Sequence, residues 1–287
     1  SDFLEAENKS AINADDYFKT AEGQEGYRVY TYSLLASLTN STYNDLYDDG
    51  SDIYWPNRKS PSVYNPYTLT PEDGTVNSFY KDCYNLINAA NGLIYYGCFE
   101  SEAKFLRTYG YYKLTQQFGS VPYVTAYINS SNRNYPRTPL KEIYDGMLKD
   151  LDDVIADANI PETSSHNGMV NKQAARALAA KVALAAGWDL NVSQSNAANG
   201  DYNVSDKTYF NRAAKYAKEA IEGVALYDNF ADKWAPSNDE SNKEEFFSFE
   251  YDRASYPGNV STGGCDMQND YSFYYGDAKK VGTKKGN

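Results

Sequence analysis

Asp52, Trp55, Asn57 and Arg58 set a carboxylate, an indole, an amide and a guanidinium side by side in one short stretch, Ser51-Asp52-Ile53-Tyr54-Trp55-Pro56-Asn57-Arg58. These are the groups a protein uses to hold a sugar. The ring face covers the C–H face of a pyranose, and the polar groups take its hydroxyls. The stretch lies in a segment from Tyr43 to Tyr67 that adds Tyr47, Tyr54 and Tyr64 and is punctuated by Pro56, Pro61 and Pro66. Proline next to the indole stiffens the loop and lowers the ordering cost of binding. One stacked ring contributes on the order of 1 kcal/mol, so useful affinity requires several rings in an arc or a multivalent ligand. Trp55 is expected to stack, and Asp52 and Asn57 to take hydroxyls. Arg58 and Tyr64 join the set on composition. For any single tyrosine, packing with a wet hydroxyl is the simpler reading.

Other chemistries find little support. The only histidine, His166, lies in the loop Ser164-Ser165-His166-Asn167-Gly168 with no G-x-S-x-G nearby, and reads as an exposed loop residue. No zinc-ligand cluster, P-loop or dinucleotide fingerprint is present. Asp48, Asp49 and Asp52, and Asp150, Asp152 and Asp153, are the carboxylate sets that glycoside hydrolysis would require. The second set falls on an amphipathic helix and reads as its solvated face. Asp45, Tyr47, Asp49 and Gly50 follow an EF-hand only in part, and Pro56 stands where the bidentate acid belongs. No metal and no cofactor is expected, and no catalytic residue is assigned.

The 287 residues carry 39 acids and 27 bases, a net charge of -12. That balance argues against nucleic acid and against charge-driven docking on anionic lipid. The run Lys279, Lys280, Lys284 and Lys285 reads as a solvated tail. The 29 tyrosines, 12 phenylalanines and 3 tryptophans are too many for the core of a chain whose mean hydropathy is -0.69. The cysteines Cys83, Cys98 and Cys265 have no metal spacing, and Cys83 sits on an apolar helical stripe as a buried thiol. A Cys83–Cys98 disulfide conflicts with the helix between them. No apolar run approaches the roughly 18 residues that span a bilayer, and no run in this sequence reads as a signal peptide.

Helical periodicity dominates the elements that must position the loop. Expected helices run over about Asp15–Leu38, from Thr70-Pro71 to Gly97, over Glu102–Phe118, from Thr138-Pro139 toward Pro161, over Asn171–Gly187 and over Tyr209–Gly223. Phe105, Tyr109 and Tyr112 mark one side of the third. Ala174, Leu178, Ala179, Val182 and Ala186 mark the fifth, and Ala213, Ala214, Ala217 and Ile221 the sixth. Alanine at the crossing points is how tetratricopeptide-like hairpins stack, although the stretch from Trp188 to Lys207 breaks a regular 34-residue period. Glu245–Tyr251 reads as a strand, followed by a second aromatic loop region from Arg253 to Gly276. The expected class is mainly α: an irregular tetratricopeptide-like helical-repeat scaffold over 1–227, with the ligand loop at 40–70. A loop-rich, minor-β lobe over 228–287 reads as the truncated start of a second lobe.

The stretch Glu102-Ala103-Lys104-Phe105-Leu106-Arg107-Thr108-Tyr109 through Phe118-Gly119-Ser120-Val121-Pro122 resembles the E-A-R-F-L-R-A-Y…F-G-G-V-P motif of SusD/RagB-like outer-membrane lipoproteins. Gly168-Met169-Val170-Asn171-Lys172-Gln173-Ala174-Ala175 through Gly187 resembles a second motif of that family. Ser1-Asp2-Phe3-Leu4-Glu5 resembles the run that follows its lipidated cysteine. The resemblance implies a non-enzymatic cell-surface protein of the outer membrane. It would bind oligosaccharide or polysaccharide and cap a SusC-like TonB-dependent channel, touching the membrane only through an N-terminal lipid anchor outside this sequence. It also implies that the chain is the N-terminal part of such a protein. The loop before the second helix corresponds to a family ligand loop, which supports Asp52, Trp55 and Asn57. The loop after Phe246–Phe249 is similarly placed, which adds Tyr256 and Tyr271. Two alternatives remain open on the sequence: a helical-repeat module for protein or peptide, and a glycoside hydrolase using Asp49 and Asp52.

Overall fold

The computed structural model describes residues 14–39, 43, 46–47, 51, 68–129, 134–165, 168–191, 204–235, 237–238 and 242–248. Its helices are α1 (Ala14–Tyr17), α2 (Ala21–Ser37), α3 (Gly74–Tyr95), α4 (Glu100–Phe118), α5 (Leu140–Ala156), α6 (Lys172–Asp189) and α7 (Thr208–Ala220), followed by a 3-10 turn at Phe230–Trp234. From α3 to α7 each helix packs mainly on its neighbours in the chain. The result is a layered tetratricopeptide-like stack, and no strand occurs among the described residues. No described helix is long and apolar enough to cross a membrane.

Local chemistry moves several boundaries. The single helix expected from Asp15 to Leu38 is two, because Thr20 Oγ1 accepts from the Gly23 amide at 3.0 Å and restarts the helix. Gly23 permits the break: a Cβ there would stand 2.0 Å from the Tyr17 carbonyl oxygen. At α3 the cap is Asp73, whose carboxylate accepts from the Val76 amide at 3.0 Å. Thr70, expected to cap, supplies only its carbonyl to the Asp73 amide. Thr138 likewise does not cap α5; its hydroxyl accepts from the Tyr123 amide. Asn171 caps α6 through the Ala174 amide at 2.8 Å.

The core is a continuous apolar layer. Phe79, Cys83, Leu86, Ile87, Ala90 and Leu93 of α3 face Ala103, Leu106, Tyr111 and Leu114 of α4. The stripe on α5, Ile143, Tyr144, Met147, Leu148, Leu151 and Val154, is buried as expected. α4 lies among α2, α3, α5 and α6, so it is buried over much of its circumference. Tyr109 and Tyr112 are only half-buried, and Arg107 is inside instead. The alanines of α6 let α7 approach until a Cβ at Gly187 would stand 2.7 Å from the Phe210 ring. On α7 the buried face is Tyr209, Ala213, Tyr216 and Ala220, while Ala214, Ala217 and Ile221 are exposed. The phenols decide this rotation. Tyr209 donates to Asp145 and Tyr216 to Asp152, each at 2.5 Å across to α5.

Of the three α5 carboxylates expected on a solvated face, Asp152 is exposed and Asp153 half-buried, while Asp150 is inside. Asp150 is 6 % exposed and receives both forks of Arg107, at 2.9 and 2.8 Å. Asp153 takes Lys104 at 2.7 Å and Lys149 at 3.0 Å. Of the strand expected over 245–251, residues 245–248 are irregular, with a bend at 246–247, and 249–251 lie outside the described residues. There the Phe246 carbonyl accepts from Asn171 and the Phe247 ring packs on Phe105. Cys83 is buried and free, Cys98 is half-buried and free, and burial, with Asp82 close by, pushes the Cys83 thiol up to about 12.

Candidate functional site at the ends of helix α3

The ring-and-amide loop leaves and rejoins the scaffold at the N-terminal end of α3. Tyr43 is buried edge-on against Phe79, with ring centroids 5.0 Å apart, and donates to Asp82 at 2.5 Å. Burial and that bond to a carboxylate raise the Tyr43 hydroxyl above its ordinary value, so it remains a donor. Tyr47 meets Phe79 at 6.1 Å, with the Lys113 ammonium 4.7 Å from its ring centre. Burial, and Lys181 behind it, lower the Lys113 pKa. These two tyrosines are the root of the loop: Tyr43 is buried against α3, and Tyr47 lies over the angle between α3 and α4 with 38% of its surface exposed. Phe118, on Phe79 and Tyr80, closes the same corner.

Asp52, Trp55, Asn57, Arg58, Tyr64, Tyr256 and Tyr271, the residues expected to meet a ligand, lie outside the described residues, as do Asp48, Asp49 and His166. Among the described residues no group of His, Cys, Asp and Glu is placed to hold a metal ion. A cavity of about 220 Å³ between α2, α4 and the start of α6 is lined by Arg28, Glu102, Asn159, Met169 and Asn171. Its carboxylate is committed, since Glu102 accepts from Arg28 at 3.1 Å and from the Tyr32 hydroxyl at 2.6 Å.

A second constellation sits along α3 and was not read in the sequence. Segment 121–129 lies on the helical surface without being helix or strand, and side chains replace the partners a strand would give it. Asn88 pairs with Ile128 through both groups of its amide, donating to the carbonyl at 3.0 Å and accepting from the N–H at 2.9 Å. Asn91 donates to the carbonyls of Val124 and Ala126. The Tyr111 hydroxyl accepts from the Val124 amide at 2.6 Å and also donates to the Val124 carbonyl at 2.8 Å. Arg107, held by Asp150, donates to Asn91 at 3.0 Å and fixes that amide's orientation. A buried polar network of this kind rigidifies what it touches when its members are satisfied. It delivers Tyr127 to the C-terminal end of α3, beside Tyr95 and Tyr96. The sequence signal was modest: Tyr95-Tyr96 at a helix end, and two asparagines three residues apart on the α3 stripe.

Comparison with known proteins places this architecture. The SusD-like family model described as "Starch-binding associating with outer membrane" matches residues 2–184. SusD-like protein P2 of Formosa agariphila is 24% identical over 275 residues, covering 86% of this chain and 49% of the relative. A SusD superfamily protein of Parabacteroides distasonis superposes with a TM-score of 0.57 at 24% identity, over 77% of this chain and 51% of that one. A laminarin-binding SusD-like protein superposes with a TM-score of 0.60 at 22% identity, over 78% and 50%. The chain spans about half the length of these relatives. With a family model matching well over half its residues, and with the layered helical stack of the family's solved structures, the chain belongs to the SusD-like family.

Proposed function

We propose that the protein binds glycans at the cell surface without acting on them, and hands oligosaccharides to a SusC-like TonB-dependent transporter in the outer membrane. The observation that carries the reading is the family match over residues 2–184, which includes the whole ring-and-amide loop. The rooting of that loop in α3 supports it, because a buried Tyr43 and a half-buried Leu46 hold the start of the loop on a rigid scaffold. Trp55 stacks on a sugar ring. Asp52 and Asn57 take its hydroxyls, Arg58 and Tyr64 extend the contact, and Tyr256 and Tyr271 close it from the second aromatic region. The scaffold is residues 1–227, and 228–287 begin a second lobe. A lipid anchor outside this sequence tethers the protein.

Affinity electrophoresis through gels containing soluble starch, laminarin or xyloglucan tests the reading. Wild type should be retarded by at least one polymer, with no release of reducing ends. Trp55→Ala should weaken the binding about fivefold, the value of one stacked ring. Unchanged retardation in Trp55→Ala removes the site assignment, and no retardation of wild type in any of the three gels removes the function.

A further inference from the structure

At the C-terminal end of α3 the outermost rings of an aromatic cluster face outward, while Phe18, Tyr27, Tyr96 and Tyr127 are half-buried beside them. Tyr95 is 69% exposed and Tyr30 50%. Between them runs an unbroken series of ring contacts. Tyr30 meets Tyr27 at 5.8 Å, Tyr27 meets Phe18 at 4.7 Å, and Phe18 stacks on Tyr96 at 3.9 Å with the rings 12° from parallel. Tyr96 then meets Tyr95 edge-on at 4.9 Å and Tyr127 at 6.1 Å, and Tyr127 tilts against Tyr95 at 5.8 Å. Four stretches of chain converge to build this ledge: the α1–α2 turn, α2, the end of α3 and segment 121–129.

The ledge is braced from behind. Asn88, Asn91 and Tyr111 clamp the backbone that carries Tyr127. Gly92 leaves the room the rings need, since a Cβ there would stand 2.8 Å from the Tyr27 hydroxyl and 3.3 Å from the Tyr127 ring. The Tyr96 hydroxyl donates to the Asp15 carboxylate, which fixes the ring at the edge of the stack. A fixed ring loses no rotamer freedom when a ligand arrives. The chemistry of the surface selects the ligand. It is almost wholly tyrosine, so each apolar face carries a hydroxyl at its tip. Asp15 and Asp16 stand at its margin, and the one cation beside the series, Lys19, is paired with Asp16, so no unpaired basic charge adjoins the rings there, which disfavours phosphate and anionic lipid. Apolar ring faces bordered by hydroxyls and carboxylate match a neutral pyranose chain, which presents C–H faces bordered by hydroxyls.

We infer that this ledge, with Tyr95 as its stacking ring and Tyr127 and Tyr96 beside it, is a second carbohydrate-binding surface, separate from the Trp55 loop. The inference rests on the glycan-binding reading above. Phe79, on which the root of the loop sits, and Tyr95 are 16 residues apart on α3, about 24 Å at 1.5 Å per residue. Two weak surfaces so spaced on one rigid body raise the affinity for a long polymer far more than for a short oligosaccharide.

The test uses the whole chain and the same three polysaccharides, with affinity electrophoresis and carbon-13-labelled tyrosine ring signals read by NMR. Tyr95→Ala, Trp55→Ala and the double variant are compared with wild type. Tyr95→Ala alters an exposed side chain, and unchanged thermal unfolding checks that its fold is kept. Tyr95→Trp, which preserves a stacking face, should restore binding. The expected result is a three- to tenfold weakening in Tyr95→Ala, loss of retardation in the double variant, and polymer-induced shifts at Tyr95 and Tyr127 that persist in Trp55→Ala. A Tyr95→Ala variant that binds as wild type does, with no shift at these rings, overturns the ledge while leaving the loop reading intact. A wild type that none of the three polymers retards overturns both.

Discussion

The two ends of α3 are built from the same residue type and put it to opposite use. At the N-terminal end Tyr43 turns its ring into the core against Phe79 and secures its hydroxyl on Asp82. At the C-terminal end Tyr95 shows its ring to solvent, and only the neighbouring Tyr96 secures its hydroxyl, on Asp15. The difference follows from what is available to cover each ring. At the root, α3, α4 and the loop itself close a corner around Phe79 and Phe118. At the ledge α3 ends, and the polar clamp of Arg107, Asn91 and Asn88 holds segment 121–129 beside the rings while Tyr95 stays 69% exposed. Tyrosine composition alone therefore says little about binding; whether the neighbouring segments cover a ring's face decides it.

The sharpest way to break this contrast is at the buried ion pair behind the ledge. Arg107→Met leaves the Asp150 carboxylate inside without a partner and should cost about 3–5 kcal/mol of stability. Hydrogen exchange should rise along residues 121–129 and stay low around Phe79. Adding Asp150→Leu should recover most of the loss, because the orphaned charge goes with it. Denaturant midpoints measure both, and a single variant within 1 kcal/mol of wild type would show that the clamp does not depend on the pair.

At the other end, Tyr43→Phe removes one hydrogen bond to a charged acceptor and should cost about 1.5 kcal/mol. The Tyr127 ring signals should be undisturbed. If they move as much as those of Tyr47, the two ends are one cooperative unit and the contrast fails.

The smallest effect is in pH. The Lys104 hydrogen bond, opposed by burial and reinforced by Lys149, holds the Asp153 carboxyl below its usual range, and a bond from Ser101 does the same for Asp157. A lowered carboxyl binds fewer protons folded than unfolded. Its contribution is complete above the unfolded value, near 3.8, and is lost as the pH falls through the folded value. Burial raises Tyr27 at the ledge and Tyr43 at the root above 10.0. Their contribution is complete below that value and lost as the pH climbs. The buried Cys83 thiol, raised from 9.0, begins the same loss one unit earlier, so stability should fall above about pH 9 and again as the pH drops below about 4. Lys104→Met should flatten only the acid limb; an acid limb of unchanged slope would remove Asp153 from the account.

Much of the fold was legible because it is periodic. The stripe from Ile143 to Val154 and the alanines of α6 recur at 3.6 residues, and burial follows that period directly. Boundaries slipped where a side chain competed for a backbone amide, as Thr20 and Asp73 do. Of the α5 acids Asp150 departs from the wet face, because Arg107 arrives from α4; Asp152 stays exposed while it accepts from Tyr216, and Asp153 is half-buried under Lys104. On α7 the same distant phenols, not the local alanines, set which face turns inward.

The amino-acid sequence by itself determined the helical class and the family motifs, and set a proline-punctuated run of ring and amide residues ahead of α3, because each rests on neighbours close in the chain. Only the tertiary structure decided that Tyr43 is a root and Tyr95 a surface, and that Arg107 belongs inside with Asp150. It alone also decided that Phe18, Tyr27, Tyr96 and Tyr127 share one ledge. Those outcomes depend on which segments meet across tens of residues, and burial, charge pairing and ring stacking are properties of the meeting rather than of either segment.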